Sequence, residues 1–283
     1  MPIKLDLHIH TESRGKVYIN SRQLAESLNR RRLDGIAVTN FFEIEHAIWL
    51  KKKLTGHIII VGQEIWTKDG HIIGLGLTKR IDDSAGAQDT IRNIHEQGAL
   101  AVAVHPFLDL GVGDKALSLE VDAIEVYNAA LGMTFFHNYL AARIAAKGKA
   151  ARIAGSDTTD SRYIGQSYTE VLSDKSKQIL PSIKEGKVRL FKKPLPIPLG
   201  GIIRGFLKFR DLEPCAIHAV PCLICGKSMV LRLFKEKFKC RDCGQFFFSR
   251  IVCCNGHFFC LECVIKNGSK HVFESENCRD EEA

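Results

Sequence analysis

The sequence predicts an α/β protein with a barrel-like sheet and a small C-terminal zinc-binding domain. Short apolar runs of strand length alternate with amphipathic stretches of helical spacing as far as Gly155. That alternation favours a parallel, barrel-like sheet. Histidines and carboxylates stand inside or just past several of the apolar runs, where a barrel collects its functional groups. All ten cysteines lie at or beyond Cys215.

Ile3–His8 reads as the first strand. Ser21–Arg32 has helical apolar spacing, with Asn20 or Ser21 as its cap. Gly35–Thr39 is the second strand. His57–Glu64 and His71–Leu77 are two more, joined by a tight loop at Lys68-Asp69-Gly70. Gln88–Gln97 is a helix ended by Gly98, and Leu100–His105 and Ala123–Tyr127 are strands. Thr134–Ala146 is a helix, and Ala151–Gly155 is the last barrel strand. Pro194 to Gly201 breaks regular structure and reads as a linker. Ile202–Leu212 has the pattern of a basic amphipathic helix. The expected domains are 1–193, a linker with the basic helix at 194–214, and a cysteine-rich module at 215–283.

Residues 174–250 hold 17 Lys/Arg against 6 Asp/Glu, although the whole chain carries only +8. Such a segment is either a solvated basic face or a surface for a polyanion. No apolar run approaches the ~20 residues of a membrane span. The N-terminus lacks the apolar core of a secretory leader. A cytoplasmic protein without a membrane partner is expected. There, paired cysteines point to zinc rather than to disulfides.

His8 and His10 sit in LDLHIH, Glu64 in GQEIW, His71 in GHIIG, His105 in AVAVHPF and Asp157 in AGSD. Histidines two apart on a strand share a face, so His8 and His10 can grip one ion. The order and local words of these motifs resemble the PHP family, the polymerase and histidinol phosphatase domain of metal-dependent phosphoesterases. The resemblance covers roughly residues 1–190 and rests on several separated motifs. It implies a distorted seven-stranded relative of the TIM barrel. It also implies a first metal held by His8, His10, Glu64 and Asp157, and a second held by Glu64, His71 and His105. Glu64 would bridge the two.

The chain departs from the family at the third metal that many members bind. The family's TDH word falls on Thr39-Asn40-Phe41, the acidic residue after the second histidine falls on Gly15, and the GSDxH histidine falls on Thr159. The three losses belong to one metal, and the other two sites stay whole. A dinuclear centre of Mn, Zn or Fe is therefore expected, suited to hydrolysis of a phosphoester by metal-activated water. Arg14, Lys16 and Arg162 are candidates to replace the missing cation against the phosphate, unless they are ordinary loop cations. Glu125 and Asn128 match another family word and read as groups behind the ligands. His46, His57, His95 and His137 lie outside the motifs and read as structural.

In the tail, Cys222-x2-Cys225-Gly and Cys240-x2-Cys243-Gly are zinc knuckles, and Cys253, Cys254, His257, Cys260 and Cys263 follow. Ligands every third residue leave too little chain to wrap one ion. The easier pairing is interleaved, with Cys222, Cys225, Cys254 and His257 on one structural zinc and Cys240, Cys243, Cys260 and Cys263 on the other. Cys253 can stand in for Cys254. Met229 to Lys239 alternates as a hairpin turning at Lys235-Glu236. The phenylalanines here either fill a small core or stack on bases.

The leading functional reading is a phosphoesterase acting on a nucleotide or nucleic acid. A zinc-module protein that binds nucleic acid or protein on a barrel scaffold is the second reading, and a small-metabolite phosphatase is the third.

Overall fold

The computed structural model describes residues 2–13, 16–83, 85–108, 110–130, 135–173, 178–194, 229–253, 255–258 and 263. The chain divides into two compact units, Met1–Leu195 and Pro196–Ala283. The segment 195–228, with Cys215, Cys222, Cys225 and the expected basic helix, lies outside the described residues, as do Arg14, Gly15, Cys254 and Cys260.

The first unit runs β1 (Ile3–Ile9), a short hairpin of β2 (Glu12–Ser13) and β3 (Lys16–Val17), α1 (Ser21–Arg31), β4 (Gly35–Val38) and α2 (Glu45–Lys53). It continues through β5 (Ile58–Thr67), β6 (Gly70–Leu75), α3 (Ala87–Glu96), β7 (Leu100–Ala103) and β8 (Ala123–Asn128). The last elements are α4 (Phe135–Ala145), β9 (Ala151–Gly155), β10 (Tyr168–Val171), α5 (Ile179–Lys184) and β11 (Val188–Phe191). Helix α1 starts where its sequence says it should. Asn20 accepts from the Gln23 amide while the Gln23 side chain bonds back to Asn20, and left-handed Arg32 ends the helix.

Among the described residues nine strands form one sheet in the order β11-β10-β1-β4-β5-β6-β7-β8-β9. All seven predicted strands are in it. The other two, β10 and β11, come from the stretch read as a tail. Each is only four residues long and half-exposed in alternation, too short to stand out in the sequence. The sheet is mixed rather than parallel, because β5-β6, β6-β7, β1-β10 and β10-β11 pair antiparallel. Thr67 faces Gly70 across the predicted tight loop.

The sheet nearly closes on itself. At its base β1 pairs with β10 (Ile3 against Val171), but towards its end it meets the chain leaving β9. There the Asp157 amide donates to His8 O at 2.8 Å, and the His10 amide donates to Thr158 O at 3.0 Å. A bulge in β1 between Asp6 and Ile9 shifts its register against β4. It lets Leu5 and Leu7 join the barrel interior with Ile60, Ile73, Val102 and Ile153, while Ile9 joins the layer under the helices with Leu24 and Leu28. Each such buried side chain stabilises the frame by about 1.5–3 kcal/mol.

In the second unit β12 (Met229–Lys239) pairs antiparallel with β13 (Phe246–Cys253). The predicted turn at Lys235-Glu236 is instead a break in register inside one long strand, between Leu231 and Glu236. Neither residue offers turn chemistry. The chain reverses at Cys240–Gln245, where Gly244 takes φ 72° and the Cys240 amide donates to Gln245 O. Among the described residues the core of this unit is small: Cys240, Val252, Phe258 and Cys263, with Phe238 and Phe247 against them.

Candidate metal centre

The six motif residues converge where the strands of the first unit end. His8 and His10 come from the last part of β1 and the residue after it, Glu64 and His71 from the β5–β6 hairpin, and His105 and Asp157 from just past β7 and β9. His8, His10, Glu64 and Asp157 form one buried group whose ligand atoms lie within 4.8 Å of one another, and Glu64, His71 and His105 form a second. Glu64 belongs to both through different oxygens. Its Oε2 lies 3.1 Å from His8 Nε2 and 3.0 Å from His10 Nε2. Its Oε1 lies 2.6 Å from His71 Nδ1 and 3.0 Å from His105 Nε2.

The backbone is bent to reach this arrangement. His105 has φ 27° and Asp157 has φ 51°, in the left-handed region that costs a non-glycine residue roughly 1–2 kcal/mol. A strained backbone at functional groups persists only where the surroundings enforce it. Gly155 is one such enforcer. A Cβ there would sit 2.6 Å from His8 Cβ and 3.1 Å from Glu125 Oε1, so only glycine lets β9 come this close to β1.

A second set of groups orients the first. Glu125 Oε1 meets His8 Nδ1 at 3.0 Å, and its Oε2 accepts from the His105 amide and from Asn128 Nδ2. Asn128 Nδ2 also donates to Asp157 Oδ2 at 2.9 Å. Asp6 accepts from the Ser156 and Gly165 amides and so ties down the loop that presents Asp157. Burial pushes the Asp6 carboxyl up to about 6. An acid set among the apolar residues of a strand was its only trace in the sequence.

The electrostatics favour a cation. Burial lowers the pKa of His8, but the Asp157, Glu125 and Glu64 carboxylates outweigh it and hold His8 well above the ordinary imidazole range. His10 and His105 are raised in the same way against burial, whereas burial dominates at His71 and lowers it. Burial likewise opposes ionisation of Glu64, yet His71 and His8 keep it well below the usual carboxylate range. A pocket whose carboxylates favour positive charge at His8, His10 and His105 suits divalent ions. The donors fit too. His10 is buried, its Nε2 faces Glu64 Oε2 and Asp157 Oδ1, and its Nδ1 has no hydrogen-bond partner among the described residues. Imidazole with carboxylate is the donor set of Zn, Mn and Fe.

Phe41, at the position of the missing third-metal histidine, is fully buried and stacks on His10 with centroids 4.5 Å apart and planes 10° apart. Asn40 next to it accepts from the Thr11 and Glu12 amides and donates to Glu43. Thr159 is half-buried outside the cluster.

Arg162 is 73% exposed, with its guanidinium on Asp160 at 2.6 Å, and lies outside the cluster. Arg14 and the side chain of Lys16 fall outside the described residues. His46 bonds Thr11, His57 faces Asn29, and His95 pairs with Asp122.

In the second unit Cys240, Cys243 and Cys263 bring their sulfurs within 4.8 Å of one another. The predicted fourth ligand, Cys260, lies outside the described residues. Cys253 is buried and its sulfur accepts from the Asn255 amide at 3.3 Å, while His257 is half-buried and its carbonyl accepts from the Cys253 amide. Among the described residues no helix is long and apolar enough to cross a membrane.

No family model matches the chain. Protein MJ1587 of Methanocaldococcus jannaschii is 33% identical over 141 residues, which cover 45% of this chain and 82% of that protein. Among solved structures, a two-domain protein from Bacteroides vulgatus containing a predicted PHP-like metal-dependent phosphoesterase superposes with a TM-score of 0.55 at 18% identity, covering 90% of this chain and 88% of the other. PsfC from Pseudomonas syringae superposes with a TM-score of 0.54 at 18% identity, covering 73% of this chain and 99% of PsfC. The fold is that of PHP-like proteins.

Proposed function

For this chain, which belongs to the family of MJ1587 and has the PHP-like fold, we propose metal-dependent hydrolysis of a phosphoester, of a nucleotide or nucleic acid. The observation that carries the reading is the division of Glu64, with one oxygen facing His8 and His10 and the other facing His71 and His105. A carboxylate placed in this way could serve two metal sites, one completed by His8, His10 and Asp157 and the other by His71 and His105. Divalent ions held by these residues would supply an activated water and neutralise the phosphoryl oxygens.

The protein's own part is orientation and exclusion of water. Glu125 fixes the His8 ring so that Nε2 faces Glu64, and Asn128 holds Asp157. Phe41 closes the third position with an apolar ring, which makes the centre dinuclear. Residues 1–193 are the phosphoesterase domain in this reading, and 215–283 are a module held by two structural zinc ions. The basic excess at 174–250 favours a polyanionic substrate.

The test is elemental analysis of the purified chain with an assay on chromogenic phosphomonoesters and diesters. The expected result is about two metals in the barrel unit and hydrolysis that Glu64→Gln abolishes together with both barrel metals. Full metal content without hydrolysis of either ester class would favour a binding protein on a PHP scaffold. Retention of both metals and activity in Glu64→Gln would rule out the bridge.

A further inference from the structure

Trp66 lies beside the metal centre and has no role in holding it. It is the direct cross-strand partner of His71 in the β5–β6 hairpin, two residues beyond Glu64 on the same face of β5. Its indole stacks on the His71 ring, with centroids 5.1 Å apart and planes 24° apart. Phe41 meets it edge-on at 5.6 Å and Phe42 lies tilted at 5.7 Å. These neighbours occupy the ring but not its N–H. Nε1 is buried and has no hydrogen-bond partner among the described residues.

Indole nitrogen is only a donor, and a buried one normally finds an acceptor. Phenylalanine would fill this apolar niche without leaving a donor unpaired. A tryptophan here is explained by an acceptor that arrives with a ligand. The location narrows the choice of ligand. The ring lies against His71 of the Glu64–His71–His105 group. An oxyanion seated over that group is the acceptor a ligand would bring nearest to the indole, and a charged acceptor makes the stronger bond.

We propose that the Trp66 N–H donates to a phosphoryl oxygen of the ligand bound at this centre, making Trp66 a substrate-binding residue. The proposal rests on the phosphoesterase reading for the identity of the anion. It also answers the loss of the third cation. Where Phe41 excludes an ion, a fixed neutral donor takes over part of the hold on the phosphate.

The test uses the full chain loaded with zinc, which is diamagnetic, and inorganic phosphate as the probe. The chain has two tryptophans, so its nitrogen-15 spectrum carries two indole signals, and Trp49→Phe leaves that of Trp66 alone. Trp49 is 48% exposed, stacked on His46 and outside the proposed machinery. Phosphate should move the Trp66 N–H proton downfield in a saturable way. Trp66→Phe should weaken phosphate binding by calorimetry about tenfold to a hundredfold, the worth of a hydrogen bond to a charged group, with metal content unchanged. An unmoved Trp66 signal at phosphate saturation, or no phosphate binding, overturns the proposal, as does unchanged affinity in metal-replete Trp66→Phe. If that variant loses metal, the signal of the Trp66-containing chain decides. A shifted signal without hydrolysis of any ester would keep this inference and sink the enzymatic one. Hydrolysis with an unmoved signal would do the reverse.

Discussion

The two groups of ligand-type residues are held in opposite ways. In the barrel, ligands drawn from His8 to Asp157 are fixed by a nine-stranded sheet, two apolar layers and a set of buried hydrogen bonds. In the tail, Cys240, Cys243 and Cys263 meet on a two-stranded hairpin whose described core is four residues. An isolated hairpin is marginal in water and needs further cover or a crosslink to stay ordered. The comparison teaches that a metal would be cargo for a finished frame in the first unit and part of the frame in the second.

The largest expected effect is therefore in the tail. Strong chelation, or Cys240→Ser, should unfold the second unit and leave the first folded, because structural zinc is worth about 10–16 kcal/mol to such a module. Limited proteolysis would show it as rapid cleavage after 228 with a resistant barrel fragment. A hairpin equally resistant with and without chelator would break the comparison.

A smaller effect is expected from the groups behind the barrel ligands. Glu125→Gln keeps the shape but weakens the grip on His8 Nδ1, and should cost roughly 10–100-fold in metal affinity. The thermal unfolding of the metal-free barrel should change little. Calorimetric titration with manganese separates the two quantities. A large loss of fold with unchanged affinity would mean that Glu125 is a structural brace only.

The smallest effect sharpens the claim that the frame stands without metal. Asp83 accepts from the Trp66 amide at 2.6 Å, and burial pushes its carboxyl from 3.8 up to about 7. The folded state therefore holds this proton more tightly than the unfolded chain does. The group's contribution falls as pH rises from about 4 to about 7 and then levels off. Asp83→Asn keeps the acceptor and removes the titration. Its Tm should match the parent near pH 4 and exceed it increasingly up to pH 8. A constant Tm difference across that range would show that Asp83 is ionised in the folded state throughout.

Much of this was legible in the sequence, for reasons specific to each residue. The seven expected strands are apolar runs bounded by turns or helices; five of the six motif residues end or follow one of them, and His71 opens the strand after the Lys68-Asp69-Gly70 loop, so the hairpin brings it to that same end. That places them at one end of the sheet before any coordinates are known. Helix α1 was legible because Asn20 and Gln23 make a capping box. The antiparallel pair β10 and β11 was not, because four alternating residues fit a strand, a loop or a fraying end. The turn in the tail was placed at Lys235-Glu236 because alternation shows a strand but not where its partner begins, which the Cys240–Gln245 reversal decides. Trp66 leaves no such mark in the sequence, because its significance lies in what its N–H lacks, and an unpaired donor is a property of packing.

A dinuclear barrel centre divided by Glu64 can be tested by anomalous diffraction from crystals of the full chain grown with manganese. Two strong barrel peaks are predicted, one on the Glu64 Oε2 side among His8, His10 and Asp157, the other on the Oε1 side between His71 and His105. A single peak, or a third strong one beside Phe41 and Thr159, would contradict it.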